Sequence, residues 1–274
     1  MKHRPPPPCR GTGQRPPRRR QRGVTLFVVI VFVLLSMLLA LWASRTALFN
    51  ELVVGNDADY QRAFEAAQAL VQDAELDIRG ESADGNGCTP DTNDDKICRQ
   101  GATVDKFPLE SKDVGPMLAE LELLSTRCRH GICAKRLGRQ DFWNYVSTHT
   151  PAPSSLQTYE VGIDQLSAAG IGARYGQYTG AKMGDSSAPA NPLLRWNAST
   201  PWNRGGWYWI EMLPYTQKAS SVVSEMGPGK TLLTIVPLNT LPGAVYRITA
   251  VAYGRKPGTV VVLQETYART KHKD

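Results

Sequence analysis

Histidine is scarce in this chain. There are four in 274 residues (His3, His130, His149, His272), and none stands in an HExxH, GxSxG or CxxCH setting. The common signatures of zinc proteases, serine hydrolases and attached haem are therefore missing. Excess positive charge is missing from all but one segment. Eight of the 32 basic residues fall in the first 23 positions, which contain no acid, leaving 24 basic against 25 acidic residues beyond them. A basic face for nucleic acid thus loses its support on the folded part, despite a net charge of +7. Residues 1–23 also hold six prolines and almost no apolar side chain, so they read as a tail outside the fold.

Charge is absent altogether from residues 24–44. Residues 24–43 read VTLFVVIVFVLLSMLLALWA, with Thr25 and Ser36 the only polar members. Twenty helical residues span roughly 30 Å, the thickness of a bilayer's hydrocarbon core. A fully soluble cytoplasmic protein is excluded by this run. A cleaved secretory signal has a shorter apolar core, about 7–15 residues, and a small-x-small site. Here Leu41 and Trp42 occupy positions where small residues would be needed, so the run reads as a retained anchor. The arginines before it place the N-terminus in the cytoplasm and the bulk of the chain outside, in a bacterium the periplasm. Cys9 lies in the tail, leaving an even four on the exported side: Cys88, Cys98, Cys128 and Cys133. An even number in an oxidising compartment predicts disulfides, and of three connectivities the local pairs Cys88–Cys98 and Cys128–Cys133 are expected.

Past residue 43 the helical pattern continues and becomes amphipathic. Tyr60, Ala63, Phe64, Ala67, Leu70, Val71, Ala74 and Ile78 recur at three- and four-residue steps, Glu75 and Arg79 are spaced to pair, and Gly80 fits a stop. Gly55–Asn56 is the expected weak point or local unwinding. Residues 80–101 read as loop, and 117–124 as a short second helix. Strands are expected at 206–213, 231–238, 244–253 and 259–268, the last two joined by a hairpin loop at 254–258. Tyr246, Ile248, Ala250 and Ala252 alternate with Arg247 and Thr249, as in a half-buried strand. A long helix followed by an antiparallel meander is an α+β arrangement. Residues 135–203 carry no clear pattern.

The junction RQRGVTLFV (20–28) resembles the class III signal of type IV prepilins. The stretches GND (55–57), AFEAAQAL (63–70), QDAE (72–75), YRITA (246–250) and VVLQETY (261–267) resemble the PilX group of minor pilins. The resemblance implies a leader, 1–23, removed by prepilin peptidase after Gly23 and methylation of the new amino terminus at Val24. It further implies a pilin helix over 24–79 with its transmembrane part at 24–43, and a periplasmic head over 80–274 with C-terminal antiparallel strands. Two positions depart from the usual pattern. Val24 stands where most pilins have phenylalanine, and Val28 where most have glutamate. A carboxylate in the apolar run costs about 2.5–3.5 kcal/mol at the bilayer centre unless paired, and its partner in ordinary pilins is a neighbour's terminal amine. Val28 cannot make that pair, which suits a tip or initiating subunit.

The implied role is to prime or cap pilus assembly and to support pilus-dependent adhesion, aggregation and twitching motility. The implied partners are other minor pilins and the major pilin through helix packing, prepilin peptidase and the inner membrane, with the filament, at or near its tip, as final location. No nucleic acid, small-molecule substrate, cofactor or catalytic residue is expected. Two alternatives are a K-type-like pseudopilin of type II secretion and a single-pass membrane-anchored periplasmic enzyme.

Other features were weighed against chemistry. His130, between Cys128 and Cys133, suggests zinc less well than a disulfide with an incidental histidine. Asp91, Asn93 and Asp95 resemble the start of a calcium loop, but Lys96 and Ala102 occupy the positions that need glycine and glutamate. No metal is assigned. Gly170, Gly172 and Gly176 miss the dinucleotide spacing. Trp196 and Trp202, among proline and asparagine, form a possible contact surface, with core or loop packing the plainer reading.

Overall fold

The computed structural model of the chain describes residues 24–108, 111–147, 161–184, 191–214 and 244–269. Its helices are α1 (Val24–Arg79), α2 (Ser111–Glu122) and α3 (Ile163–Leu166), with 3-10 turns at Ile97–Arg99, Phe142–Asn144 and Pro192–Leu194. Its strands are β1 (Cys128–Arg129), β2 (Ile132–Ala134), β3 (Gly206–Pro214), β4 (Ala244–Tyr253) and β5 (Val260–Tyr267). They form one sheet in the order β1-β2-β3-β4-β5. By compactness the chain divides into two units, Met1–Val54 and Gly55–Asp274. The α+β architecture is the expected one.

The helix ends where the sequence calls for it. Gly80 takes a φ of +71°, its N–H donates to the Asp77 carbonyl and the next N–H, of Glu81, donates to Leu76. That pair of bonds caps two orphan carbonyls and needs a residue free to enter the left-handed region. Glu75 and Arg79 pair at 3.6 Å. The expected unwinding at Gly55–Asn56 does not occur: both are helical. Their neighbours 46–54 and 57–63 are mostly good helix formers, and one glycine costs only about 1 kcal/mol.

The sheet departs from a pure meander. β3, β4 and β5 are antiparallel, but β2 runs parallel to β3, with Ile132 opposite Ile210. The two short strands of the Cys128–Cys133 hairpin carried too few residues to show a period in the sequence. The 231–238 segment lies outside the described residues. The second helix starts earlier than its apolar stretch, at Ser111, with Pro116 inside it.

The sheet's two faces bury different clusters. Tyr208, Ile210 and Met212 of β3 and Tyr246, Ile248, Ala250 and Ala252 of β4 pack with Ala63, Ala66, Ala67, Leu70, Ala74 and Ile78 of α1. On the opposite face Trp207, Trp209 and Val251 pack with Phe142, Ile163 and Leu166. β4 is therefore buried on both faces, and even Thr249 is 1% exposed. The half-buried reading fails because residues from the unassigned middle supply this second cover. Its polar groups are met locally: Gln264 Nε2 donates to Thr249 Oγ1 at 3.0 Å and Trp209 Nε1 to the Leu166 carbonyl at 2.9 Å.

Leu70 sits directly over Gly206, where a side chain of any size would collide with Leu70 Cδ1. Leu70 is fully buried, so Leu70→Ala removes its contacts and leaves a void between helix and sheet. The expected loss is about 2–5 kcal/mol, read from urea unfolding of the detergent-solubilised full chain.

Candidate functional site

Residues 24–54 of α1 form an apolar helix with every side chain exposed. Val24, Leu26 and Trp42 are 70%, 69% and 71% exposed. The most apolar 18-residue window has a mean hydropathy of 3.1, long and apolar enough to cross a membrane. Two of its polar side chains bond within the helix, Ser36 Oγ donating to the Val33 carbonyl at 2.9 Å and Thr46 Oγ1 to that of Trp42 at 3.0 Å, and the charged Arg45 and Glu51 lie beyond the uncharged run. In hydrocarbon that internal pairing is obligatory. Such a surface is stable in lipid or against other apolar helices. In water it is a liability.

The second half of α1 is fastened to the head by three aspartates. Asp59 accepts the backbone N–H groups of Arg255 and Lys256, both at 2.9 Å, while Lys256 Nζ reaches Asn56 Oδ1 at 2.8 Å. Burial pushes the Asp59 carboxyl up, but the two amides and Thr259 outweigh it and hold it below its usual range. Asp73 accepts the Gly176 N–H at 2.8 Å and the Thr179 hydroxyl. Asp77 takes both arms of Arg99, Nε at 2.7 Å and Nη2 at 2.6 Å, together with the Tyr208 hydroxyl at 3.2 Å. The Arg99 guanidinium lies between the Tyr178 and Phe107 rings and is 4% exposed. Each carboxyl group holds a different connector: the β4–β5 hairpin, the 173–181 loop, and the 3-10 turn that follows Cys88.

Two family models match the chain. The first, described as PilX N-terminal, covers residues 22–71, and the second, described as Type IV pilus assembly protein PilX C-term, covers residues 129–269. The chain belongs to the PilX family. No curated protein and no solved structure matches it. PilX is a family of structural pilins and not of enzymes, so a minor-pilin role in the type IV pilus, in association with other pilus components, follows from membership. The long apolar helix matches a membrane anchor. The two matches also divide the molecule physically. The first takes in the apolar helix and Asp59, and the second takes in the sheet from Arg129 onward. The disulfide loop and α2 lie between them.

Both expected disulfides of this PilX-family chain are present. Cys88–Cys98 spans 5.5 Å between Cα atoms and closes the loop that delivers Arg99 to Asp77. Cys128–Cys133 joins directly opposed residues of β1 and β2, with Cα atoms 4.0 Å apart. His130 lies in the turn between them at φ +52°, its Nδ1 3.0 Å from Asp105 Oδ2. Burial raises the Asp105 carboxyl, yet His130 and Arg129 outweigh it and bring it to about 2. The carboxylates of the calcium-like stretch are turned on their own backbone, Asp91 accepting from the Asn93 N–H and Asp94 from that of Lys96. Among the described residues no three His, Cys, Asp or Glu side chains converge as a metal site.

Val24 opens α1, and Val28, 41% exposed, lies in its first turns. Gly23 lies outside the described residues. Trp196 and Trp202 are both half-buried. Trp196 Nε1 donates to the Tyr175 carbonyl at 2.8 Å, and Trp202 meets the Tyr253 ring edge-on and accepts at its carbonyl from Trp207 Nε1.

The sequence reading missed Asp59, Asp73 and Asp77. Its stripe counted only apolar residues, yet the aspartates sit at the same three- and four-residue steps, and all three are buried. A carboxylate in phase with an apolar stripe was the available signal. Buried charges demand partners, and deleting one partner costs about 3–5 kcal/mol because the other is left stranded. Asp77→Ala should therefore destabilise the head by about that amount. Asp77→Leu combined with Arg99→Met should recover most of it, since an apolar pair removes both desolvation costs. Urea midpoints of the three proteins decide the point.

Proposed function

We propose that this chain is a minor pilin cut between Gly23 and Val24 by prepilin peptidase, N-methylated at Val24, and used to prime or cap the type IV pilus. It waits in the inner membrane as a single-pass protein, N-terminus inside and head in the periplasm. It then enters the filament, at or near its tip, through packing of residues 24–54 against other minor pilins and the major pilin. Adhesion, aggregation and twitching motility follow from pilus assembly. The observation that carries this reading is the fully exposed apolar helix with valine at position 28, in a chain of the PilX family.

An ordinary pilin offers a carboxylate at the fifth mature position to the terminal amine of a neighbour. With Val28 there is nothing to offer and no buried charge to neutralise, so this subunit has no need to dock beneath an earlier one. A start or tip position is the place in a filament where that need does not arise. The same feature would serve a K-type pseudopilin, but membership of a pilus assembly family favours the pilus.

Mass analysis of the N-terminal peptide from membranes with and without prepilin peptidase tests the processing step. The expected peptide begins at N-methylated Val24 and appears only with the peptidase; an intact leader in both strains sinks the proposal. Val28→Glu tests the position. It should reduce the number of pili, because the added carboxylate demands a partner that a first subunit lacks. Unchanged piliation would remove the argument for a tip role while leaving the processing result untouched.

A further inference from the structure

Two buried carboxyl groups one turn apart on α1, Asp73 and Asp77, face a single cation. Arg99 gives Nε and Nη2 to Asp77, and donates further to the carbonyls of Asp105 at 2.9 Å and His130 at 3.0 Å. Among the described residues no cation bonds to Asp73. The groups facing it are Asp77 on its own helix, Arg99 from the 3-10 turn, Tyr175 and Tyr178 from the 173–181 loop, and Tyr208 from β3. Its hydrogen-bond partners, Gly176 N–H and the Thr179 hydroxyl, both belong to the loop.

We propose that Asp73 and the 173–181 loop form a pH-dependent latch, closed while the Asp73 carboxyl is protonated and loosened when it ionises. The neutral carboxyl keeps both contacts. Oδ2 accepts the Gly176 N–H, and Oδ1 accepts from the Thr179 hydroxyl, whose oxygen in turn accepts the Ala181 N–H at 3.2 Å. The ionised carboxyl keeps them too, but as a second buried negative charge beside a cation already bonded to Asp77, which is the costly arrangement. Opening the loop lets water reach that charge.

Burial pushes the Asp73 carboxyl up to about 7, with the push of Asp77 and against the pull of Thr179, Gly176 and the Arg99 charge. In an opened loop it returns to the ordinary carboxylate range, near 3.9. A pKa raised in the closed state means that closure is fully favoured below the ordinary range. The advantage is lost as pH climbs to about 7 and is level above it. Within that window the opening constant rises by up to about tenfold per pH unit.

Opening has reach beyond the loop. Tyr178 O accepts the N–H of Cys98 at 2.8 Å, Tyr175 O accepts Trp196 Nε1 at 2.8 Å, and Ala173 bridges to Tyr208. Release therefore frees the disulfide turn and the Trp196 side of the head together. The contacts held by Asp59 do not share this behaviour, because that carboxyl stays below its usual range.

Hydrogen exchange of the full chain in detergent, from pH 4.5 to 8.0 with intrinsic rates corrected, tests the latch. The opening constant of peptides covering 173–181 should rise by about fiftyfold between pH 5 and 7 and then level off. Asp73→Asn mimics the neutral acid, with its amide donating to Thr179, and should make the same peptides pH-independent. Peptides over 252–259 should stay flat in both proteins. A flat 173–181 response in the native chain, an equal slope in Asp73→Asn, or a 252–259 response of the same size would overturn the proposal. Should the variant fail to fold, carboxyl carbon titration of the native chain decides: an Asp73 midpoint above 5.5 supports the latch, and one below refutes it.

Discussion

The structure depends on the burial of one helix stripe against one sheet. Ala63, Ala66, Ala67, Leu70, Ala74 and Ile78 of α1 are buried in one cluster with β3 and β4, and Gly206 gives Leu70 its room. That burial removes water from the aspartates that share the stripe. Once dry, they must be matched atom by atom, and the connectors that match them become fixed parts of the head. Packing thus comes first, and the polar clips are its consequence.

The same helix serves two solvents. Residues 24–43 expose apolar side chains throughout except Thr25 and Ser36, whereas residues 55–79 bury a stripe against the head. Nothing in the covalent chain marks the change except composition. The division suits a minor pilin of the PilX family, whose apolar half matches a membrane anchor while the other half is built into its own head. Pairing Asp77 with Arg99 in a dry site adds little net stability over an apolar pair. It does dictate which turn is placed there.

Legibility tracked distance along the chain. The apolar run, the amphipathic stripe, the Gly80 stop and the β4–β5 hairpin arise from contacts or periods within a few residues, and each was readable. So were the disulfide pairs, since Cys88 with Cys98 and Cys128 with Cys133 close short loops. The parallel alignment of β2 with β3 joins Ile132 to Ile210, 78 positions apart, and no local pattern encodes it. The second cover over Trp207 and Trp209 was invisible for the same reason. Phe142, Ile163 and Leu166 come from a region with no sustained period.

The sequence by itself determined the class of the molecule: an uncharged twenty-residue run preceded by arginines, a helix continuing beyond it, and a family signature around the start of that run and in the last strands. Those follow from composition and short-range spacing, which the chain carries wherever it goes. The tertiary structure alone decided that Asp59, Asp73 and Asp77 are buried, that Arg99 answers one of them and not another, and that Trp196 and Trp202 are half-buried and bonded. A charge's cost and a ring's exposure depend on what else occupies the space around them, and that is settled only when distant segments meet.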